Sequence, residues 1–576
     1  MAEETNKELP KECWAMIFKH LNHESDQDSF SLVCKRFLSI TNFLKVNIIV
    51  SSPSIKVLSH MLQRFTNLKK IQLSSFRGDL NKAVHAVARS GLDLEELDLS
   101  YNGSLKTVSF DELGSKMKNL KVLDCSDCLE DADLARIANS FTHLEELQIG
   151  QPYYNGDTSS IAVTDEGIDY LSSKLKRLRK IDLLHNLYIS DKSLISLSSN
   201  CAFLEHITVS YCRNVTIYGI SFLINNSHHL KFLDLCEHCK IEPFRFTTFL
   251  PKLQILRFTN LSISNEFLYS IAGAQIPLTE ISLSSCISYT FNGISRLLHS
   301  CHQSLKSLVL RAAQFLTNEH IESLSSFLYN LTSIELYYCP QLSDSAFVTL
   351  TQSCPLLCDL EMSETSLGRE EYNHDGIAKN FAIKYLKLSS NSSLSTSSLR
   401  KLLNICPKVE KIKLNCCFQR NEQLDVTDIL MCNGGLVKNL VLQGCHRLKV
   451  SRIDQNISKL EMLGARTSGI NGAMLVIIGR MCPGLVHFDL ERCDNLTEEG
   501  VKEVVRLCKR LRYLSLSSCA NLDIGIIAWI VNNSKSLRKL VSPSHTYPDE
   551  EKQKQFLQQG CFVTKGVYYE PEEYWY

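Results

Sequence analysis

Apolar residues recur along this chain with a spacing that predicts alternating short strands and helices. In the stretch LTSIELYYC, which begins at Leu331, apolar residues take the first, fourth and sixth places and cysteine takes the ninth. Side chains alternate along a strand, so the apolar places face one side and the places between them face the other. The residue run that follows such a copy has the spacing of a helix with one buried face, as in Val501, Val504, Val505 and Cys508. Each copy therefore predicts one strand and one returning helix.

The copies are numerous and evenly spaced. We count 19 starts, and ten of the 18 intervals between them are 26 residues long. The starts lie at positions 68, 94, 120, 144, 178, 204, 230, 253, 278, 305, 331, 357, 383, 409, 437, 460, 485, 511 and 537. The pattern Leu-x-x-Leu-x-Leu-x-x-Asn/Cys at such a period is typical of leucine-rich repeats. The predicted fold is an α/β, right-handed solenoid (a horseshoe) with parallel inner strands and outer helices.

Two features interrupt the period. The interval from 144 to 178 is 34 residues long, and its excess follows the strand, which predicts a loop carrying Tyr153 and Tyr154 at the rim of the sheet. After the last copy the pattern stops. We therefore assign the repeats to residues 68–542 and expect a C-terminal cap and tail at 543–576, with a helix at about 549–559. A cap is favoured over a peptide-binding tail.

The residues before the repeats have a pattern of their own. Two apolar stripes there have the i, i+3, i+4, i+7 spacing of helices: Trp14, Ile17, Phe18 and Leu21, then Phe30, Val33, Cys34 and Phe37. Two or three short helices are expected. A segment this small buries too little surface to be stable alone, so it must pack on the solenoid, on a partner, or on both.

This segment resembles an F-box. The resemblance rests on LP-x-E, on an Ile-x-x-x-Leu helix and on SLVCKRF, and it involves Leu9, Pro10, Ile17, Leu21, Leu32, Val33, Cys34, Lys35 and Phe37. An F-box at residues 7–45, a linker or first solenoid helix at 46–67 and cysteine-containing repeats beyond it resemble F-box/LRR-repeat proteins, especially those of plants. A simple N-terminal cap for the solenoid is the alternative interpretation of these helices.

The resemblance implies a function without catalysis. It implies the substrate receptor of an SCF-type ubiquitin ligase, in which the F-box docks on a Skp-type adaptor, and through it on a cullin, while the repeats bind the protein substrate. The adaptor contact would involve Leu9, Pro10, Ile17, Leu21, Leu32 and Val33. No HExxH, GxSxG or P-loop string points to an enzyme, and no cofactor is predicted.

Charge and hydropathy exclude other classes of partner. Lys+Arg and Asp+Glu are equal at 62 each and form no long block of one sign, so no nucleic-acid footprint is predicted. No segment approaches the roughly 18 apolar residues of a membrane span. The N-terminus MAEETNKELP lacks the apolar region of a signal peptide. We expect a soluble protein of the cytoplasm and/or nucleus.

Most of the 23 cysteines follow the repeat. Eight take the ninth place, where some copies have Asn, and they are Cys128, Cys212, Cys286, Cys339, Cys417, Cys445, Cys493 and Cys519. Six others are predicted to end helices against the core: Cys201, Cys301, Cys354, Cys406, Cys482 and Cys508. We expect reduced structural thiols without metal. Zinc at Cys125/Cys128 or Cys236/Cys239 is disfavoured, because the first two occupy a strand place and a turn place that point in different directions.

Charged residues between the apolar places are candidates for binding the substrate. They are acidic in early copies and more basic further along, and with Tyr153 and Tyr154 the candidates are Asp98, Asp124, Asp182, Asp234, Arg257, Arg311, Lys387 and Lys413. Two other functions stay open. The inner strands could hold a small molecule, as in hormone co-receptors, although Lys387 with Lys413 is a thin cluster for an inositol phosphate. The repeats could also serve as a scaffold outside any ligase.

Overall fold

A computed structural model describes most of the chain: residues 9–21, 27, 30–50, 54–76, 78–102, 108–126, 129–150, 163–236, 252–369, 376–417, 423–451, 459–523 and 525–565. The chain divides into two compact units, Met1–Leu278 and Thr279–Tyr576. Both units combine parallel strands with helices.

The first unit begins with two short helices and continues as a repeat array. Its described strands are Asn47–Ile49, Lys70–Gln72, Glu96–Asp98, Val122–Asp124, Glu146–Gln148, Lys180–Asp182, His206–Ser210, Phe232–Cys236 and Ile255–Thr259. Its described helices are Lys11–Lys19, Lys35–Leu44, Ile55–Arg64, Leu80–Arg89, Val108–Lys116, Asp131–Ser140, Asp165–Lys174, Asp191–Asn200, Ile217–Asn226 and Asn265–Gly273. From the second strand onward, strand and helix alternate as the repeat predicts, except between Phe232–Cys236 and Ile255–Thr259, where residues 237–251 lie outside the described ranges.

The second unit continues the same alternation, except that no helix is described between Asp359–Ser363 and Tyr385–Lys387 or between Asn439–Val441 and Met462–Gly464. The strands of its main sheet, as far as described, are Glu280–Ser284, Ser307–Arg311, Ser333–Tyr337, Asp359–Ser363, Tyr385–Lys387, Lys411–Lys413, Asn439–Val441, Met462–Gly464, His487–Asp489, Tyr513–Ser515, Lys539–Ser542 and Phe562–Lys565. Leu424–Asp425 and Leu448–Lys449 pair separately. The described α-helices are Phe291–Cys301, Asn318–Leu324, Asp344–Ser353, Thr396–Ile405, Val426–Met431, Gly472–Met481, Glu498–Leu507, Gly525–Asn533 and Glu550–Gln558.

The strands lie where the repeat predicts them. A strand begins two residues after each of the 19 predicted starts, and the copy at Leu331 has its strand at Ser333–Tyr337. Its Leu331, Ile334 and Leu336 are at most 1% exposed. The apolar places therefore form the core under the helices, and the residues between them lie on the other side of each strand, which we call the open face of the sheet. The predicted α/β repeat fold is confirmed.

The turn after each strand explains the Asn/Cys place. The residue before it has a left-handed backbone, with φ between 51° and 70° in Tyr101, His185, Tyr211, Ser285, Tyr338, Ser390, Cys416, Gly444, Arg492 and Ser518. Such a turn leaves strand carbonyls without a ladder partner, and the next side chain donates to them. Asn391 Nδ2 lies 2.7 Å from Met362 O and 2.9 Å from Leu388 O. Cys417 Sγ lies 2.9 Å from the same Leu388 O, so the predicted role of the ninth place is confirmed. Cys128 lies outside the described residues.

The predicted helix starts are N-caps. Thr164, Ser190, Thr317 and Thr497 accept a backbone N–H of the first turn. Ser343 occupies the N-cap position without such a bond. Instead, its amide donates to Asn318 Oδ1 and its hydroxyl accepts from Asn318 Nδ2, both in the preceding repeat.

Carboxylates also join consecutive helices. Asp165, the first residue of its helix, accepts hydrogen bonds from the amide and hydroxyl of both Ser190 and Ser193 in the next repeat, at 2.5–3.2 Å. Asp131 likewise accepts the amide and hydroxyl of Thr164, and Asp191 accepts the amide and hydroxyl of Thr216. These aspartates therefore fix each helix start to the next one, in addition to favouring the positive end of their own helix.

The sheets extend beyond the predicted repeats. Asn47–Ile49, inside the predicted linker, pairs in parallel with Lys70–Gln72. Phe562–Lys565 pairs with Lys539–Ser542, after the predicted C-terminal helix, which is observed at Glu550–Gln558. The sequence did not predict these two strands, because neither has the full apolar spacing of a repeat. The aromatic tail at 566–576 lies outside the described residues.

A ladder of residues with alternating charge runs along the strands of the first unit. The second place of successive copies is Lys69, Glu95, Lys121, Glu145, Arg179, Glu205 and Lys231. Ion pairs join most neighbours, among them Lys121 Nζ to Glu95 Oε2 at 2.8 Å and Arg179 Nη1 to Glu205 Oε1 at 2.7 Å. Each exposed pair contributes only about 0.2–1 kcal/mol. Together the ion pairs favour the observed order of neighbouring strands, because another order would bring like charges together.

Candidate functional site

The N-terminal helices share a small aromatic core. Phe18, Phe30 and Ile40 are buried, and Trp14, Leu21 and Phe37 pack against them. The rings of Phe30 and Phe37 are stacked with their centroids 4.1 Å apart. This packing fixes which side of each helix remains outside.

The outer side of these helices is apolar. The exposed fractions are 46% for Leu9, 40% for Ile17, 71% for Leu32 and 67% for Val33, and Pro10 is exposed too. Met16, which the sequence analysis did not single out, is 60% exposed. These are the residues that the resemblance assigns to adaptor contact, and their exposure suits that role.

Leu21 differs from the other adaptor candidates. It packs on the aromatic core and is half-buried, and it lies beyond the end of the helix at Lys19. Because the helix has ended before Leu21, the spacing of four residues from Ile17 does not place the two side chains on one face. We therefore assign Leu21 to the core of the segment and leave Ile17 in the candidate surface.

The second predicted stripe is broken by a turn. The helix begins at Lys35, and Cys34 before it is extended (φ −161°) with its sulfur accepting the Phe37 amide at 3.5 Å. The prediction of a continuous stripe through Val33 and Cys34 is wrong, because both lie outside the helix and are exposed. The turn holds Leu32 and Val33 away from the core, which a helical period could not indicate.

The acidic candidates of the first unit lie in one row on the open face. Asp98 pairs in register with Asp124, Asp182 follows across Gln148, and Asp234 follows across Thr208. Arg257 is the register neighbour of Asp234 and lies over the Phe232 ring, 5.2 Å from its centroid. The predicted alignment and its change of sign at Arg257 are thus present. Tyr153 and Tyr154 lie outside the described residues.

Part of each acidic side chain is used locally. Asp98 Oδ1 accepts the Ser100 amide at 2.9 Å, Asp124 Oδ1 accepts the Ser126 amide at 3.0 Å, and Asp182 Oδ1 accepts the Leu184 amide at 2.9 Å. The acceptor bond closes the end of the strand, so these residues have a structural role that the sequence analysis missed. Only one oxygen of each is engaged in that bond.

Burial raises the pKa of two of these carboxyls. Burial raises the pKa of Asp182, and the hydrogen bond from the Leu184 amide opposes that rise. Burial also raises the pKa of Asp124, and the charges of Asp98 and Asp182 add to that rise while the Ser126 bonds oppose it. The row therefore holds negative charge in a place where it is costly, as functional sites often do.

Two basic candidates of the second unit, Arg311 and Lys387, are paired with acids on neighbouring strands. Arg311 forms an ion pair with Glu335. Lys387 Nζ lies 2.8 Å from Glu361 Oε1. Lys413 is the register neighbour of Lys387. The charge on this face is therefore ordered as a row of Glu335, Glu361, Lys387 and Lys413.

These residues border a cavity on the open face of the second unit. It has a volume of about 530 Å³. Its lining is formed by Arg311, Ser333, Ile334, Glu335, Cys358, Asp359, Leu360, Glu361, Lys384, Tyr385, Lys387, Glu410, Lys411 and Lys413. The sequence singled out only some of these, because the third place of each copy, which holds Asp359 and Lys411, was not examined for charge.

Burial makes the repeat thiols poor ligands and nucleophiles. It raises the pKa of Cys354, Cys406 and Cys508 to about 12, so these thiols stay protonated at neutral pH. Within the described ranges no group of three or more His, Cys, Asp or Glu residues could hold a metal ion. Cys125 and Cys236 are buried, and their CxxC partners Cys128 and Cys239 lie outside those ranges. Among the helices described, none is long and apolar enough to cross a membrane.

Comparison with known proteins identifies similarities at the N-terminus and along the chain. Residues 7–48 match the family model of the F-box domain. The F-box protein MAX2 homolog A of Petunia hybrida is 25% identical over 195 residues, which cover 32% of this chain and 26% of that protein. The F-box/LRR-repeat protein 4 of Bos taurus is 24% identical over 250 residues, which cover 43% of this chain and 28% of that protein. The chain thus spans little more than a quarter of the length of either relative.

A solved structure also matches over much of the chain. The crystal structure of the Rad7 and Elc1 complex in yeast covers 72% of this chain and 90% of the matched chain, with 16% identity and a TM-score of 0.41.

The class of protein follows from the N-terminal domain and the repeats behind it. An F-box domain occupies the N-terminus, and its outer side is exposed and apolar. The chain is similar to F-box/LRR-repeat proteins, with an F-box match at residues 7–48 and a leucine-rich-repeat array behind it.

Proposed function

We propose that this protein is the substrate-recognition subunit of an SCF-type E3 ubiquitin ligase in the cytoplasm and/or nucleus. Its F-box docks on a Skp-type adaptor and through it on a cullin, and its repeats hold the protein to be ubiquitinated. The observation that carries the proposal is the exposed apolar surface of the F-box, formed by Leu9, Pro10, Ile17, Leu32 and Val33.

The distribution of exposed apolar side chains supports a docking role for this surface. Of the 24 large hydrophobic side chains that are exposed in the described part of the chain, nine lie at or before Val57. Exposed apolar side chains concentrated in one segment favour a role in binding a partner, since large exposed apolar patches on a monomer mark interaction sites. The remaining 15 are spread over the rest of the described chain and are mostly aromatic.

Truncating this surface tests the adaptor contact. Leu9→Ala with Pro10→Ala, and separately Leu32→Ala with Val33→Ala, should each weaken binding by about 2 kcal/mol or more, roughly 30-fold in Kd, if these side chains are interface anchors. Binding is measured by co-purification and by titration with a Skp-type adaptor. Thermal unfolding should change little, because all four side chains are exposed.

A matched control comes from the other end of the chain. Leu557 is 59% exposed on the C-terminal helix, so Leu557→Ala removes a similar exposed side chain outside the F-box. It should leave adaptor binding unchanged. If the adaptor bound both double variants as well as the wild type, the F-box would not be the docking surface.

The open faces of the repeats are the proposed substrate surface. The acidic row Asp98, Asp124, Asp182 and Asp234 in the first unit supplies one sign of charge. Arg311, Lys387 and Lys413 in the second unit supply the other. Charge of this kind mainly steers and orients a partner, since an exposed pair contributes only about 0.2–1 kcal/mol.

The acidic row can be tested without losing its structural bonds. Asn keeps an oxygen that accepts the amide two residues ahead, so replacing Asp98, Asp124 and Asp182 by Asn removes charge and little else, whereas Lys reverses the charge. We expect weaker substrate capture with Asn, a further loss with Lys, and unchanged adaptor binding. Proximity labelling in cells with the proteasome inhibited measures the captured set. An unchanged set in both variants would move the substrate surface to the loops, the helices or the C-terminal tail.

A further inference from the structure

We infer that the strand-end rim of the first unit binds an arginine-containing basic segment of the protein substrate. The strand-end rim is the edge of the copies starting at 94 to 204 where each strand ends and the following helix begins. This inference rests on the proposed function and specifies the substrate chemistry at that edge. Its basis is the combination of exposed tyrosine rings with an excess of carboxylates.

Exposed tyrosine rings lie along this rim. The exposed fractions are 60% for Tyr101, 51% for Tyr188 and 66% for Tyr218. Tyr101 occupies the turn after its strand, and Tyr188 and Tyr218 each lie two residues from a helix N-cap. Tyrosine is enriched at protein interfaces, because its large ring is ordered at low cost in conformational entropy. The rings therefore indicate a binding surface.

The turns of the rim do not by themselves favour rings. Their eighth place has a left-handed backbone, which costs a residue with a Cβ more than it costs Gly. Tyr101, His185 and Tyr211 nevertheless occupy this place, with φ of 57° or 58°. The rings of His185 and Tyr211 are stacked, with their centroids 4.1 Å apart. The turn geometry therefore does not account for these side chains, whereas a planar cation that stacks on rings does.

The rim also carries an excess of negative charge. In the copies that begin at 120, 144 and 178, the described residues from the fifth place to the first turn of the helix include eight carboxylates and one cation, Lys192. Asp124 and Asp182 lean toward the rim, because each accepts the backbone amide two residues ahead. Arg213 in the next copy ends the acidic stretch. A basic segment is the complementary partner for such a surface.

Hydrogen-bond acceptors at the rim have capacity for further donors. Among the described residues Asp182 accepts one hydrogen bond, from the Leu184 amide, which leaves its second carboxylate oxygen for a ligand. Asp133 Oδ1 and Asn186 Oδ1 belong to residues that are at most 4% exposed, and neither has a donor within the described ranges. A buried acceptor without a donor costs free energy, so a ligand rich in N–H groups is favoured here.

Arginine fits these features better than lysine. Its guanidinium stacks flat on a ring and donates two parallel hydrogen bonds to a carboxylate, whereas the lysine ammonium is a compact, strongly hydrated point charge. Arg257 in the same unit shows the combination, since its guanidinium lies over the Phe232 ring and it is the register neighbour of Asp234. The carboxylates of the rim would repel a phosphate-bearing partner.

Labelled peptides test the inference with the full chain bound to its adaptor. The probe is a 12-residue Gly/Ser peptide that carries three Arg, and the control peptides carry three Lys, three Gln or three Glu. A further arm adds spermine, a polycation without guanidinium groups, as a competitor. Fluorescence polarisation should show the Arg peptide binding at least about fivefold tighter than the Lys peptide, a difference that stacking of the guanidinium groups supplies. The Gln and Glu peptides should not bind measurably.

Variants of the rim separate the part played by the rings from that played by charge. Tyr188→Ala with Tyr218→Ala should bring the affinity of the Arg peptide to within about twofold of the Lys peptide, because the stacking surface is lost. Tyr269→Ala with Tyr329→Ala removes two tyrosines outside the rim, each 41% exposed, and should keep the preference. Asp182→Asn keeps the acceptor for the Leu184 amide and should weaken both peptides by a similar factor.

The wild-type chain alone can overturn the inference, even if a variant fails to fold. Equal binding of the Arg and Lys peptides would do so, as would displacement of the Arg peptide by spermine at the same concentration of positive charge, since non-specific attraction needs no rings. Tighter binding of the Glu peptide would also overturn it. Adaptor co-purification is measured in parallel, so loss of peptide selectivity is distinct from failure of the proposed function.

Discussion

At the scale of single residues, the repeat depends on a buried side chain that completes the strand turn. Asn391 is fully buried, donates to two carbonyls, and accepts both the amide and the hydroxyl of Thr365 at 2.8 Å. Cys at the same place, as in Cys417, donates its thiol to two carbonyls, Leu388 O and Asn415 O. The sequence predicted this role from the alternation of Asn and Cys. It could not predict the accepted bonds, because Thr365 belongs to the preceding copy.

The two side chains should differ in what their loss costs. Asn391→Ala leaves buried carbonyls and the Thr365 amide without partners, and each unsatisfied group costs about 1–3 kcal/mol. Asn391→Cys should cost less, because the thiol restores a donor. Thermal unfolding of both variants measures the difference, with the wild type as reference. Equal destabilisation by Ala and Cys would show that the turn does not depend on the donated bonds.

At the scale of elements, each helix start in part of the first unit is fixed by the preceding repeat. Ser and Thr before acidic residues predicted the N-caps, and four of the five named caps make the expected bond. The bond from Asp165 to the next repeat was missed, because its partners Ser190 and Ser193 lie 25 and 28 residues away. Local spacing thus predicts where a helix begins but not what holds it against its neighbour.

Asp165 should make stability depend on pH in the acidic range. Burial opposes its ionisation, but the hydrogen bonds from Ser190 and Ser193 outweigh burial and lower the pKa of this carboxyl. A lowered pKa stabilises the folded state at neutral pH, and that contribution is lost as pH falls through the folded pKa, below the ordinary value near 4. Asp165→Asn should therefore destabilise at pH 7, by about 1–2 kcal/mol, and less at pH 3.

Hydrogen exchange of the helices Asp165–Lys174 and Asp191–Asn200 measures this local loss better than global unfolding, because repeats open locally. The C-terminal helix Glu550–Gln558 serves as an internal control. A difference between wild type and variant that persisted undiminished at pH 3 would contradict the role of the ionised carboxylate.

At the scale of the molecule, sequence spacing predicted the repeats well and their ends poorly. The apolar places are read from the chain because every copy buries the same side chains. The strands Asn47–Ile49 and Phe562–Lys565 lack that spacing and are defined by pairing with a neighbour. The F-box surface shows the same limit, since Ile17 and Leu21 fit one apolar stripe but the helix ends at Lys19, and Leu21 packs on the aromatic core while Ile17 is exposed.

The charge ladder of the first unit has a consequence for how such an array can change in length. Lys69, Glu95, Lys121 and Glu145 alternate in sign from one copy to the next, with the ion pairs described above. Deleting the copy that contains Glu95 would bring Lys69 beside Lys121, and two like charges would replace an ion pair. Deleting two consecutive copies would instead bring Lys69 beside Glu145 and keep the alternation. The alternation of charge is therefore preserved when copies are gained or lost in pairs, and it is broken when a single copy is inserted or deleted.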